Sequence, residues 1–271
     1  MKSTIGICTS PEHLTEAHEA GFSFAELGCS YLLPEQDEAA FTPERQKLLN
    51  SPIPVEAFNV FLPGRLKVTG PDVDLKAVGA HMDLVLRRAS EVGASIMVFG
   101  SGGARRAPEG FPIDRAKLQF VAAARLAGET AARYGMTIAL EPLFKRACNF
   151  FNRTDEGVAF VDDVNHPNLC LLTDLFHMTM ESEPFENMLQ AGPRLAHIHV
   201  ATPSLPETGT QDGPSFDLPR FLAVLAQTGY AGRVSVEDNN GLLGKAPVRL
   251  AVAMRAVRQR VEALLLESNA P

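Results

Sequence analysis

Apolar and polar positions along this chain alternate between two patterns. Short continuous apolar runs, suited to strands buried on both faces, are separated by longer stretches with helical spacing. The runs are Thr4–Cys8, Phe24–Leu27, Pro54–Phe58, Ser95–Phe99, Thr137–Leu140, Leu169–Asp174, Ala196–Ala201 and Arg233–Glu237. Helices are expected at Pro11–Ala20, Glu44–Leu49, Asp72–Val92, Asp114–Tyr134, Thr154–Val164, near Phe185–Gln190, at Phe216–Gln227 and at Val248–Leu266. The clearest is Asp72–Val92, where Leu75, Val78, Met82, Leu86 and Ala89 recur at spacings of three and four and Gly93 follows as a stop. Strands alternating with helices predict parallel βαβ units, and eight repeats predict closure into a single-domain (β/α)8 TIM barrel spanning residues 1–271. The alternative, an open doubly wound sheet, is weakened because no Gly-rich dinucleotide fingerprint follows the first strand.

The run Thr137–Pro142 shows how such a barrel would carry chemistry. It ends abruptly in Glu141, and Pro142 then removes the backbone donor that would prolong the ladder. Asp174 and Glu237 end two later runs in the same way, and Ala196–Ala201 carries His197 and His199. In (β/α)8 enzymes the reactive groups sit at the C-terminal ends of strands. Three carboxylates gathered there would repel one another unless a cation lay among them. Glu141, Asp174, His199 and Glu237 are therefore expected to hold one divalent metal ion, Mn2+ first, with Mg2+, Co2+ and Zn2+ as alternatives. His197, one layer deeper than His199, reads as a hydrogen-bonded interior residue. His177 follows Asp174 by three and would reach a bound substrate. His13, His18, His81 and His166 read as surface residues. Phe58 and Asn59, opening the loop after the third strand, would line the pocket. Gly100–Arg106 has two readings: an anion site using backbone N–H groups with Arg105 and Arg106, or a tight turn with solvated arginines.

Composition narrows the partners. Hydrophobic residues make up 45% of the 271 and charged residues 21%, an ordinary globular balance. The net charge of −7 is spread along the chain without a basic stripe, so nucleic acid is a poor partner. Cys8, Cys29, Cys148 and Cys170 show no CxxC spacing and read as buried reduced thiols. A strand begins at once after Met1, with no signal-peptide core, and no apolar run is long enough for a bilayer. The expectation is a cytoplasmic protein with a small-molecule partner and no membrane contact, a homo-oligomer remaining open.

The segments Leu140-Glu-Pro-Leu, Thr173-Asp-Leu-Phe-His-Met, His197-Ile-His-Val-Ala and Val234-Ser-Val-Glu resemble the sugar isomerase/epimerase group with the xylose-isomerase-like barrel. That group includes ketose 3-epimerases, hydroxypyruvate isomerases and inosose dehydratases. The resemblance implies a metal held by Glu141, Asp174, His199 and Glu237, acid–base work by the two glutamates, and substrate contact by His177. It implies proton abstraction next to the carbonyl of a sugar or polyol derivative, through an enediolate, giving epimerisation or isomerisation. Two departures stand out. Ketose 3-epimerases usually carry Glu-x-x-Asn-Arg-x-Glu where this chain reads Glu141-Pro-Leu-Phe-Lys-Arg-Ala147, and an arginine where this chain has Thr202–Pro206. Both missing groups normally hold sugar hydroxyls. Alternatives are a lyase acting on a cyclic polyol ketone or a C-glycoside, and a non-catalytic sugar-binding barrel. Endonuclease IV shares the architecture, but its histidine-rich multi-metal cluster is not found here.

Overall fold

Every expected apolar run forms a strand: β1 (Thr4–Thr9), β2 (Phe24–Gly28), β3 (Val55–Asn59), β4 (Ile96–Phe99), β5 (Thr137–Leu140), β6 (Leu169–Asp174), β7 (Leu195–Ala201) and β8 (Arg233–Glu237). In the computed structural model, which describes residues 3–202, 216–238, 241–246 and 248–268, they pair in parallel and in sequence order. β8 returns to β1, with Gly6 opposite Ser235, so the sheet is a closed barrel. The main covering helices are Leu14–Ala20, Glu38–Leu49, Leu75–Glu91, Ile113–Arg133, Thr154–Val164, Asn187–Ala191, Leu218–Gln227 and Leu250–Ser268. None of the described helices is long and apolar enough to cross a membrane.

Two local differences from the sequence expectation have simple causes. Helix Glu38–Leu49 begins well before Glu44 and contains Pro43. Pro43 forfeits one backbone bond. Against that loss, the Asp37 side chain accepts from the Ala40 N–H, and Glu38 lies 2.7 Å from the buried guanidinium of Arg88. Three short helices, Gly102–Arg105, Leu175–Met180 and Leu242–Lys245, follow the ends of β4, β6 and β8. They are too short to leave a periodic signal.

Alternation along the strands divides the core. Ala57, Ile96, Val98, Ala139 and Leu172 point inward and form one buried cluster. Ile7, Leu27, Phe58, Ile138 and Leu140 point outward into the larger cluster shared with the helices. Phe58 is fully buried there, which corrects its expected place in the pocket. Successive strand residues face opposite sides, so Phe58 and Asn59 cannot both line the mouth. Phe24 plugs the barrel opposite Gly6, where any Cβ would collide with its ring. Its full burial contributes about 2–3 kcal/mol.

Candidate metal centre

The four residues expected to meet at the barrel mouth do meet there. One donor atom from each of Glu141, Asp174, His199 and Glu237 lies within 4.8 Å of the others. The imidazole Nδ1 of His199 stands at the middle, 3.4 Å from Glu141 Oε1, 3.6 Å from Asp174 Oδ2 and 3.4 Å from Glu237 Oε2. Strand order explains the convergence: β5, β6, β7 and β8 are consecutive staves, and their inward phase is in step at the top. Asp174 pairs with His199, and Ala201 with Glu237.

The Asp174 carboxylate divides its work, with Oδ1 accepting from the His177 N–H at the start of helix Leu175–Met180. Its Oδ2 is buried without a hydrogen-bond partner among the described residues. Glu141 fits because residue 100 is glycine: a Cβ there would collide with Glu141 Oε2. The ring of His177 stacks on Phe144 at 5.4 Å between centroids, and its Nδ1 accepts from the Phe144 N–H at 3.4 Å. Its Nε2 then lies 3.8 Å from Glu141 Oε1, on the open side of the cluster.

Behind His199 sits a residue that sequence reasoning missed. Glu26, on β2, is fully buried. Its carboxylate meets His199 Nε2 at 3.0 Å, His197 Nε2 at 2.8 Å, Ser235 Oγ at 2.8 Å and Asn59 Nδ2 at 3.0 Å. The signal was present, since Glu26 interrupts an otherwise apolar strand with the wrong polarity for a core position. His197 is the interior hydrogen-bonded residue that its deeper position suggested.

Electrostatics follow from this packing. Burial raises Glu141 above the ordinary carboxylate range, with His199 pulling the other way and Glu237 adding to the rise. Burial likewise raises Asp174, against the pull of His177 and His199. For Glu237 burial is outweighed by the neighbouring His199 imidazole, which leaves it lowered. Glu26 is also buried, but the two imidazoles hold it well below the usual value. Burial lowers His177, outweighing the opposite pull of Asp174 and Glu237, which favours the neutral ring.

The donor set suits a divalent cation. Three carboxylates and one imidazole suit the Mn, Mg, Co and Zn group. Two of the buried donors, Asp174 Oδ2 and His199 Nδ1, lack any other partner among the described residues. A second group among those residues, Cys8, Glu26 and His199, is also close enough to hold an ion. There the Glu26 carboxylate is already occupied by four donors.

Other expectations are corrected. Arg105 is fully buried rather than poised for an anion. Its guanidinium donates to the carbonyls of Glu141 at 2.7 Å, Phe99 at 3.3 Å and Phe151 at 3.4 Å, and lies 5.0 Å over the Phe120 and Phe151 rings. Arg106 donates to the carbonyls of Lys145 and Arg146. The glycines of this loop serve close packing, since a Cβ at Gly102 would press on the Ala147 carbonyl. Asn59 lies at the top of β3 with its amide committed to Glu26. His81, expected at the surface, is buried with Nε2 3.1 Å from the Phe61 carbonyl.

Fold and site together define a (β/α)8 barrel with a carboxylate–imidazole cluster at its C-terminal mouth. Residues 14–259 match the family described as Xylose isomerase-like TIM barrel, and the chain belongs to that family. It is 34% identical over 119 residues to an L-ribulose 3-epimerase of Methylomonas sp. (strain DH-1), covering 44% of this chain and 41% of that protein. The chain thus spans less than half the length of that relative. An L-ribulose 3-epimerase of Mesorhizobium japonicum is 26% identical over 231 residues, covering 83% of this chain and 74% of that protein. The solved structure of a D-psicose 3-epimerase in the presence of D-fructose superposes with a TM-score of 0.80 at 18% identity, covering 97% of this chain and 99% of the other. That likeness concerns the fold.

Proposed function

We propose that this protein is a divalent-metal-dependent epimerase acting at the carbon next to the carbonyl of a ketose or ketose derivative. The observation that carries the reading is the convergence of Glu141, Asp174, His199 and Glu237, with two buried donor atoms in the cluster that have no other partner among the described residues. The relatives named as 3-epimerases support the same reaction class. A cation held by these four residues would supply a Lewis acid for the carbonyl oxygen and the adjacent hydroxyl, worth several kcal/mol of charge stabilisation.

The chain's own residues do the rest. Glu141 and Glu237 stand on β5 and β8, three staves apart, and approach the mouth from different sides. One carboxylate removes the proton from the carbon beside the carbonyl, leaving an enediolate. The other returns a proton to the opposite face of the same carbon, which inverts it. In the reverse direction the two exchange roles. His177, neutral and accepting from the Phe144 N–H at Nδ1, turns its Nε2–H toward the substrate space as a hydrogen-bond donor.

Phe144 supports a narrower substrate reading. Its ring lies against His177 and edge-on to Phe176 at 5.5 Å, placing an apolar wall beside the donor. The preferred substrate therefore bears an apolar or cyclic portion. With Arg105 buried, an anionic portion loses its expected contact. Incubation of a ketose panel with Mn2+ in D2O tests the reaction class. Deuterium should appear at the inverted carbon of the product. Product formed without solvent deuterium would refute proton exchange.

A further inference from the structure

Glu26 does more than fill the barrel. Its carboxylate is a junction of strands: Asn59 comes from β3, His197 and His199 from β7, and Ser235 from β8. Asn59 Nδ2 is a donor only, and the Ser235 hydroxyl donates to Oε2 at 2.8 Å. An ionised carboxylate can only accept. Both imidazoles must therefore present N–H from Nε2 to Glu26. For a neutral His199, that leaves Nδ1 as a bare lone pair. Nδ1 is the atom that faces Glu141, Asp174 and Glu237 and has no other hydrogen-bond partner among the described residues.

We propose that Glu26 is a positioning residue, which holds His199 in its Nε2–H tautomer and so presents the Nδ1 lone pair to the cation. The proposal rests on the metal reading of the cluster. It also decides between the two groups near His199. A cation among Cys8, Glu26 and His199 would need Nε2 as its ligand and would take Glu26 from its donors. A cation among the three carboxylates uses Nδ1 and leaves that network whole. A carboxylate donating no proton also makes the imidazole a better electron-pair donor. Partners of this kind change metal affinity by roughly 10–100-fold when removed.

The test begins with titration calorimetry of Mn2+ into metal-free wild-type protein, Glu26→Gln and Ser235→Ala. The Gln amide replaces one acceptor oxygen by an NH2 donor, so it cannot accept from all four groups that meet the carboxylate, and its NH2 would face one of their donors. Glu26→Gln should weaken Mn2+ binding by about tenfold or more. Ser235→Ala keeps the His199–Glu26 bond and should stay within about twofold of wild type. A Glu26→Gln affinity within about twofold of wild type, with only the melting temperature lowered, would reduce Glu26 to a structural role. A second measurement does not depend on the variant folding: nitrogen-15 NMR of histidine-labelled wild-type protein loaded with diamagnetic Mg2+. His199 should carry its proton on Nε2, and a proton on Nδ1 would overturn the proposal. Absence of any divalent-ion binding by the wild type would instead refute the underlying metal reading.

Discussion

Gly100 and Glu141 are fitted to each other: the Cα at the top of β4 faces Glu141 Oε2 so closely that a single methyl would collide with it. Removing a side chain at one strand end thus makes room for the carboxylate of the next. Gly100→Ala deletes no donor, yet should push the carboxylate away from the other three. Misplacement of about 1 Å can cost on the order of 100-fold in rate. Turnover should fall by about that factor, while the melting temperature moves little because only a flexible carboxylate must shift. Wild-type turnover in Gly100→Ala would show that the position of this carboxylate is not critical.

Glu141→Gln and Glu237→Gln should each abolish turnover. The amide keeps the shape and one ligand oxygen but cannot take up a proton, which separates base work from ligation. Kinetics alongside elemental analysis would check this. A variant that keeps the metal and near-wild-type turnover would leave that residue a ligand only.

Metal binding should release protons. Burial holds Glu141 and Asp174 above the usual carboxylate range. Burial opposes the charging of His199, but Glu26 and the carboxylates outweigh it and hold the imidazole well above its ordinary value. Raised groups keep their protons at mildly acidic pH and lose them as pH rises, and ligands must be deprotonated to bind. Apparent Mn2+ affinity should therefore climb between about pH 5 and about pH 8. Calorimetry in buffers of different ionisation enthalpy would count the protons released. A pH-independent affinity would contradict the burial of the cluster.

Arg105 should matter for stability rather than for recognition. Arg105→Ala leaves the carbonyls of Phe99, Glu141 and Phe151 without their shared donor and opens a cavity beneath Phe120. A loss of about 3–5 kcal/mol in denaturant unfolding is expected, from the cavity together with three buried carbonyls left short of a donor. If stability were unchanged and KM for an acidic sugar rose, the anion-binding reading would return.

Free ketohexoses should be poor substrates. Phe144 and Ala147 stand where the resemblance leads one to expect an Asn and a Glu, so charged and polar partners for hydroxyls are replaced by apolar surface. Sites that hydrogen-bond hydroxyls discriminate strongly, whereas apolar walls reward shape and burial. Steady-state kinetics on fructose, tagatose and related ketoses should give kcat/KM below about 10⁴ M⁻¹s⁻¹. Efficient epimerisation of any of them would show that other groups hold the hydroxyls.

Strand phase is a local property, and it made most of the candidate metal site legible. Apolar runs ending in Glu141, Asp174 and Glu237, and a run carrying His199, place four donors on consecutive staves without any knowledge of distant contacts. The barrel followed from the same signal, because eight buried runs alternating with helical spacing have few ways to bury both faces. Period two also forbids Phe58 and Asn59 from sharing a face, and the structure puts Phe58 outside. Only tertiary structure could decide the rest. Arg105 looks solvated beside a glycine loop until three carbonyls from separate segments close around it. Glu26 meets His199 across the barrel interior, 173 positions apart in the chain. No sequence spacing encodes that distance, because barrel closure alone brings β2 against β7.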